Sequence, residues 1–297
     1  MYVRGSFGEY TPAAAASSAR ARAFQPARTF ATEVASVARD TKATLPAMAR
    51  TLDAYKDLCT QFYDLDKPEA PEPALDFYWR RYEQSRTFAS RGPVLEGMCG
   101  SGRFLLPFAR RGADIDGVDA SPHMLAACRR RIADEGLTAN VYQQFLQDLD
   151  LPRTYGFVFV PAGSFQLVPH ADQQLALDAL ARHMQPGAEL VLEMGFPGES
   201  RTGPAGADPR RSVTRADGAE IVLSGEPDGR MRYDLVRDRV IEHTEYETFA
   251  LYPTPRRDFE LMLAAAGFLD VRAWWPYSEE PARDNAPFAV FVCSTST

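Results

Sequence analysis

The chain of 297 residues has only four cysteines, four histidines and no long apolar run, and each scarcity removes a class of protein. Cys59, Cys99, Cys128 and Cys293 are far apart in sequence and form no C-x-x-C pair, so neither a disulfide framework nor a zinc knuckle is expected. A reducing, cytoplasmic setting follows as the simplest expectation. His123, His170, His183 and His243 lack ligand spacing, so no metal site is expected. No apolar run approaches the ~18 residues of a spanning helix, which argues against a membrane partner. Basic residues are outnumbered by acidic ones, 33 to 40, for a net charge of −7. That balance disfavours a protein that coats nucleic acid. G-x-x-x-x-G-K-[ST] is missing, so ATP hydrolysis has no motif support.

What remains is an ordinary globular composition, 45% hydrophobic and 25% charged, on a chain long enough for one large domain or two modest ones. Residues 1–50 carry Ala13–Ala16 and Arg4, Arg20, Arg22, Arg28, Arg39 and Arg50. This superficially resembles a transit peptide, a reading that Glu9, Glu33 and Asp40 weaken, and a poorly ordered or partly helical extension is expected instead. Residues 51–91 read as an accessory helical lid, with Leu52–Tyr63 and Leu75–Phe88 split by Pro68, Pro71 and Pro73, which should break any helix. Most rings of this stretch should anchor the lid on the domain body, with a minority roofing a ligand pocket.

From Gly92-Pro93 onward, apolar strands alternate with amphipathic helices, the pattern of a parallel sheet covered on both faces. Val94-Leu95-Glu96 reads as a buried strand, Gly97–Gly102 as a glycine-rich turn and Arg103–Arg111 as a helix. Asp116–Asp119 reads as the next strand, and Ser121-Pro122 as an N-cap followed by proline at the first helical position. Glycines 97, 100 and 102 let the backbone turn and a ligand approach the main chain. Asp119, about 20 residues beyond the turn, is placed to accept both hydroxyls of a ribose. A dinucleotide turn is a poor match, because Leu105 stands where its third glycine belongs and Glu96 would repel a pyrophosphate. A carboxylate at position 96 suits a ligand bearing an ammonium or sulfonium group.

The segment Val94–Gly102, including Cys99, resembles the first motif of class I S-adenosylmethionine-dependent methyltransferases. Gly117–Met124 resembles that family's ribose-binding strand end and following helix start, and Gln147-Asp148 its adenine-edge position. Tyr155–Phe165, with Gly163, resembles its fourth strand and the loop lining the methyl-transfer site, and Leu180–Glu193 its helix, proline-glycine turn and fifth strand. Tyr63 matches the aromatic residue that many members place before the core to cover the cofactor. The resemblance implies an α/β fold, a doubly wound, mostly parallel Rossmann-like sheet, spanning 92–196 and 252–297. It also implies S-adenosyl-L-methionine as co-substrate, bound by Tyr63, Glu96, Gly97, Cys99, Gly100, Gly102, Asp119, Met124, Gln147, Asp148 and Gly163. The expected chemistry is methylation of N or O of a small-molecule acceptor. Met98 departs from the usual glycine or alanine and is expected to point into the core.

Residues 197–251 read as an antiparallel β insertion, with Asp217-Gly218 and Asp228-Gly229 as hairpin signals. It would cover the acceptor or pair two copies of the chain as a homodimer. A general base is needed only if the acceptor must lose a proton, and His170 and Glu193 are the candidates. Each has a plainer reading: His170 as a surface helix start and Glu193 as an acceptor for amides of the loop after it. Arg256 and Arg257 would hold an acidic acceptor or simply begin a helix. Two rivals stay open: a catalytically silent subunit that keeps the fold, and transfer of a different part of the cofactor.

Overall fold

A computed structural model describes residues 52–88, 92–197 and 210–297, and Leu52–Thr297 makes one compact unit. The expectation for residues 1–50, and that part of the expected insertion that falls on residues 198–209, lie outside the described residues. The strands of the main sheet are β1 (Val94–Gly97), β2 (Ile115–Asp119), β3 (Asn140–Gln143), β4 (Tyr155–Val160), β5 (Met184–Gly195), β10 (Leu269–Trp274) and β11 (Phe288–Ser294). Their spatial order is β10-β11-β5-β4-β1-β2-β3. β5, β4, β1, β2 and β3 run parallel, and β11 joins antiparallel to both β5 and β10. The order reverses between β1 and β4, which makes the carboxyl edge there the natural ligand crevice of an open α/β sheet.

Alternation along the strands builds two cores. Leu95, Val158, Val160, Leu190, Leu192 and Phe291 face a layer that includes Phe259 and Leu263 of α6 (Arg256–Ala265) and Ala176, Leu177 and Leu180 of α5 (His170–Arg182). Val94, Phe157, Phe159, Val191 and Val290 face the opposite layer, formed by α2 (Glu72–Phe88), α3 (Leu105–Arg110) and α4 (Pro122–Asp134). Strands buried on both faces lose the polar alternation of a half-exposed sheet, which is why they read as continuous apolar runs. Phe77, Tyr78 and Tyr82 of α2 lie in the second core, with Tyr78 packed against Phe104 and Phe159.

A second sheet, β6 (Arg211–Thr214), β7 (Glu220–Gly225), β8 (Met231–Arg237) and β9 (Val240–Glu247), is a simple antiparallel meander. Ile221, Leu223 and Tyr233 on its face pack against Leu58, Cys59 and Phe62 of α1 (Asp57–Asp66). Asp217-Gly218 and Asp228-Gly229 turn its first two hairpins, whereas the third turns on Asp238-Arg239, both left-handed at φ 48° and 67° without a glycine.

Several expected boundaries shift for identifiable reasons. Pro73 does not break α2 but lies in its first turn, where no helical N–H is needed. Residues 52–56 are not helical: the distant Glu247 carboxylate takes up the amides of Tyr55 and Lys56, and α1 begins only at Asp57. The helix after the glycine turn is shorter than expected, and Pro186-Gly187 lies inside the run of β5 instead of preceding it, across a register shift against β4.

Candidate functional site

Five consecutive strand ends bring the candidate residues to one edge of the sheet. Glu96 is the penultimate residue of β1, Asp119 closes β2, Gln147 and Asp148 lie in a 3₁₀ turn beyond β3, Gly163 follows β4, and Glu193 lies near the end of β5. The turn after β1 is anchored below by the Cys99 amide, which donates to Val118 O at 2.9 Å. Gly102 is required twice: its φ is 89°, and a Cβ there would stand 2.1 Å from Leu106 Cδ1 and 2.9 Å from Cys128 Sγ. Gly97, by contrast, lies in the strand, and a Cβ would meet Val160 and Leu146; its smallness serves packing and not a sharp turn. Met98 adopts φ 58° and packs, half-buried, against the first core.

Asp119 accepts from the Gly100 amide at 2.9 Å through Oδ2 and from the Ser121 amide at 2.8 Å through Oδ1. It therefore fixes the turn, and the carboxylate keeps a lone pair for a ligand hydroxyl. Burial raises its pKa while the amides of Ser121, Gly100 and Ala120 oppose that shift. Ser121 caps α4 as expected, its Oγ accepting from Met124 N at 3.1 Å, with Pro122 at the first helical position. Met124 is buried beneath the turn, its sulfur 3.8 Å from where a Gly100 Cβ would stand.

Glu96 is 1% exposed, and its Oε2 has no hydrogen-bond partner among the described residues. Burial pushes its pKa well up, helped by Cys128 and the neighbouring Asp119 carboxylate, while the Leu105 amide opposes. Ser101 Oγ, in the same turn, is also buried without a partner among the described residues. Buried polar atoms of this kind are costly unless something satisfies them, and here two of them flank the glycine turn.

Cys99 does not face this space. Its sulfur lies beneath the turn against Gly117 and within hydrogen-bonding reach of Cys128, so two thiols far apart in sequence are neighbours in space. That hydrogen bond, with burial, raises the Cys99 thiol well above its usual range, which makes it an inert support.

Tyr63, near the end of α1, accepts from Arg103 Nη1 at 2.8 Å and carries the Arg103 guanidinium over its ring. Arg103 also donates to Glu69 O, so a residue of the glycine turn ties down the chain joining α1 to α2. Sequence reasoning passes over Arg103, although a lone guanidinium directly after Gly102 is a readable signal.

The two candidate bases have different surroundings. His170 begins α5, exposed, with Nε2 3.3 Å from Pro253 O and its ring edge-on to Tyr252. Glu193 is 1% exposed and accepts from Tyr78 Oη at 2.6 Å, Tyr277 Oη at 3.2 Å and the amides of Ala162 and Gly163. Those amides belong to the loop after β4 and not, as expected, to the loop after β5. Both residues are left-handed, φ 61° and 64°, so the carboxylate holds a strained turn. Arg256 is spent on Glu260 and on the carbonyls of Ala282 and Arg283, while Arg257 is exposed.

Comparison with known proteins bears on the fold. Residues 94–187 match the family described as "Methyltransferase domain". The ubiquinone biosynthesis O-methyltransferase of Xanthomonas oryzae pv. oryzae is 27% identical over 142 residues, which are 48% of this chain and 59% of that protein. Its namesake from Xanthomonas axonopodis pv. citri is 26% identical over the same shares, so the chain spans about 59% of the length of these curated relatives. Among solved structures, the sugar N-methyltransferase KedS8 from Streptoalloteichus sp. has a TM-score of 0.59 at 23% identity, over 84% of this chain and 98% of that one. An S-adenosylmethionine-dependent methyltransferase from Clostridium acetobutylicum has the same TM-score of 0.59 at 13% identity, over 79% and 96% of the two chains. Likeness at these identities fixes the fold.

Proposed function

We propose, from the premise that residues 94–187 form a class I S-adenosylmethionine-dependent methyltransferase domain, that the chain methylates nitrogen or oxygen of a small-molecule acceptor. The observation that carries the reading is the pair of buried polar atoms at the turn with no hydrogen-bond partner among the described residues, Glu96 Oε2 and Ser101 Oγ, beside an Asp119 with a lone pair to spare. These groups fit a ligand with an ammonium at one end and ribose hydroxyls at the other. S-Adenosylmethionine supplies a methyl group on a sulfonium, open to in-line displacement. Glu96 takes the ammonium, Asp119 the ribose, and the backbone at Gly97, Cys99, Gly100 and Gly102 allows close approach. Gln147 and Asp148 line the adenine edge, Met124 supports the turn from below, Tyr63 covers the ligand, and Gly163 borders the acceptor.

Neither His170 nor Glu193 serves as a base in this reading. Positioning of acceptor and methyl group accounts for most of the rate, since effective molarities of order 10⁵ M and above are available from alignment alone. Both O- and N-methylating proteins stand among the similar ones, so the acceptor atom is left as N or O. The reading also carries no nucleic-acid or membrane partner and a reducing, cytoplasmic setting, which the four free cysteines support. Pairing of two copies through the inserted sheet belongs to it as well, supported by exposed Val240 and Ile241 on edge strand β9.

The test is isothermal titration of the protein with S-adenosylmethionine and S-adenosylhomocysteine beside Asp119→Ala. One-site binding of both ligands, weakened by ~1–3 kcal/mol in the variant, supports the assignment and justifies an acceptor screen. A folded wild-type protein that binds neither ligand refutes it.

A further inference from the structure

Gln166 belongs to none of the roles assigned so far, yet its side chain lies at the carboxyl ends of β4 and β5. Its backbone is fixed at both polar groups: the amide donates to Gly163 O at 3.2 Å, and the carbonyl accepts from Tyr252 N at 2.7 Å. Phe165, just before it, is fully buried, its ring 5.5 Å from that of Phe259 on α6. A residue pinned at both backbone groups and anchored by its neighbour offers its side chain from one rigid place.

The carboxamide of Gln166 rests on two glycines. Its Nε2 donates to Gly163 O at 3.2 Å. A Cβ at Gly163 would stand 2.8 Å from that nitrogen, and a Cβ at Gly195, the last residue of β5, would stand 2.6 Å from Oε1. Gly163 is left-handed and favours glycine in any case. Gly195 is not left-handed, so what a side chain there would take away is the room that the carboxamide fills. The group therefore bridges the ends of two neighbouring strands, beside the crevice where the strand order reverses.

A carboxamide carries two donor hydrogens and one acceptor oxygen. One hydrogen is used on Gly163 O, whereas Oε1 accepts no hydrogen bond among the described residues and belongs to a half-buried side chain. Glu193, two residues before Gly195, is the opposite case, since two phenols and two loop amides already donate to it. Of these two polar side chains at the end of β5, Gln166 is the one with an oxygen to spare.

We propose that Gln166 binds the acceptor, its Oε1 taking a hydrogen bond from the atom to be methylated. The inference rests on the methyltransferase reading, in which Gly163 borders the acceptor, and it narrows the substrate class. The reacting atom carries a hydrogen, so the acceptor is an amine with an N–H or a hydroxyl compound, and not a tertiary amine or a thioether. With that hydrogen held by Oε1, a lone pair of the same atom is left to attack. It forms the new bond to the methyl carbon while the C–S bond breaks and its electron pair returns to sulfur. The proton then leaves to water, because a neutral carboxamide orients a hydrogen without removing it.

The experiment titrates the full chain with two probes, S-adenosylhomocysteine and sinefungin, an analogue with an ammonium-bearing carbon in place of the methyl-bearing sulfur. That ammonium offers Oε1 the hydrogen that an acceptor would. Gln166→Leu should bind S-adenosylhomocysteine within about twofold of wild type and sinefungin about fivefold to tenfold more weakly, the range of one such hydrogen bond. Gln166→Glu separates binding from support. It cannot donate to Gly163 O, so a merely structural Gln166 predicts a loss as in the leucine variant, whereas an oxygen acceptor predicts sinefungin bound at least as tightly as by wild type. A sinefungin-to-S-adenosylhomocysteine affinity ratio that stays within about twofold of wild type in Gln166→Leu, or falls in Gln166→Glu, overturns the proposal and spares the methyltransferase reading. Wild type that binds S-adenosylhomocysteine but not sinefungin does the same. If thermal melts show Gln166→Leu unfolded, the ratio in Gln166→Glu decides alone. Wild type that binds neither probe overturns the reading and the proposal together.

Discussion

Replacing Glu96 by glutamine tests the cofactor site at its most informative point. In the free protein this carboxyl is buried, has one oxygen without a partner and lies near Asp119, so its pKa is raised from an ordinary value of 4.5. Above that value the unfolded chain has given up a proton that the folded protein still holds, and stability falls as pH rises through the window. Binding of a cationic group favours the carboxylate, so binding releases that proton and affinity rises with pH over the same range. Glutamine keeps the shape and removes the charge. The loss is that of a hydrogen bond to a charged group, about 1.5–3 kcal/mol, or roughly 10-fold to 150-fold in affinity for S-adenosylmethionine. Calorimetry in two buffers of different ionisation enthalpy reads both effects: wild type should release protons on binding, and Glu96→Gln should release fewer and bind more weakly. 5′-Methylthioadenosine, with no ammonium, should bind both proteins alike. Unchanged affinity for S-adenosylmethionine, or proton release that survives the substitution, would refute the assignment of Glu96 to the ammonium.

Two further outcomes follow from strain and satisfaction elsewhere. Glu193→Gln sets an amide NH₂ against donors that the carboxylate now accepts, and should lower unfolding free energy by about 1–3 kcal/mol in urea titrations. Once an acceptor is in hand, it should slow turnover without changing the shape of the pH–rate profile, since the proposed function gives Glu193 no part as a base; loss of a limb of that profile would contradict this. Arg239→Gly relieves a left-handed residue at an exposed hairpin tip and should stabilise the protein by about 1 kcal/mol, read as a higher melting temperature.

Much of the core is legible in the sequence because its signals are local. Ser121-Pro122 specify a helix start within four residues, Asp217-Gly218 and Asp228-Gly229 specify hairpins within two, and the strands announce themselves by apolar runs. What escapes depends on partners far along the chain. Tyr55 reads as helical because nothing near it reveals the Glu247 carboxylate. Asp238-Arg239 carries no glycine, so only the flanking register of β8 and β9 betrays the turn. Cys99 and Cys128 become neighbours because α4 packs back across the turn, a fact of tertiary packing that spacing does not encode. Glu193 reads correctly as a strand-end residue, but which loop it serves depends on β4 lying beside β5.

The position of β11 has a consequence for how the protein is made. It is the last described strand to leave the ribosome, yet it sits inside the sheet, between β5 and β10, and β10 pairs with no other strand of that sheet. Until it arrives, β5 presents an open edge to its surroundings and β10 has nowhere to dock. Glu245 and Glu247 likewise emerge long after residues 55–58 that they fasten, 187 to 192 positions later. A nascent chain can therefore assemble β1 to β4 early but cannot finish either the sheet or the fastening of residues 55–58. Large loop-closure distances of this kind slow folding, and they leave β5 as the surface on which a stalled or prematurely ended chain would aggregate.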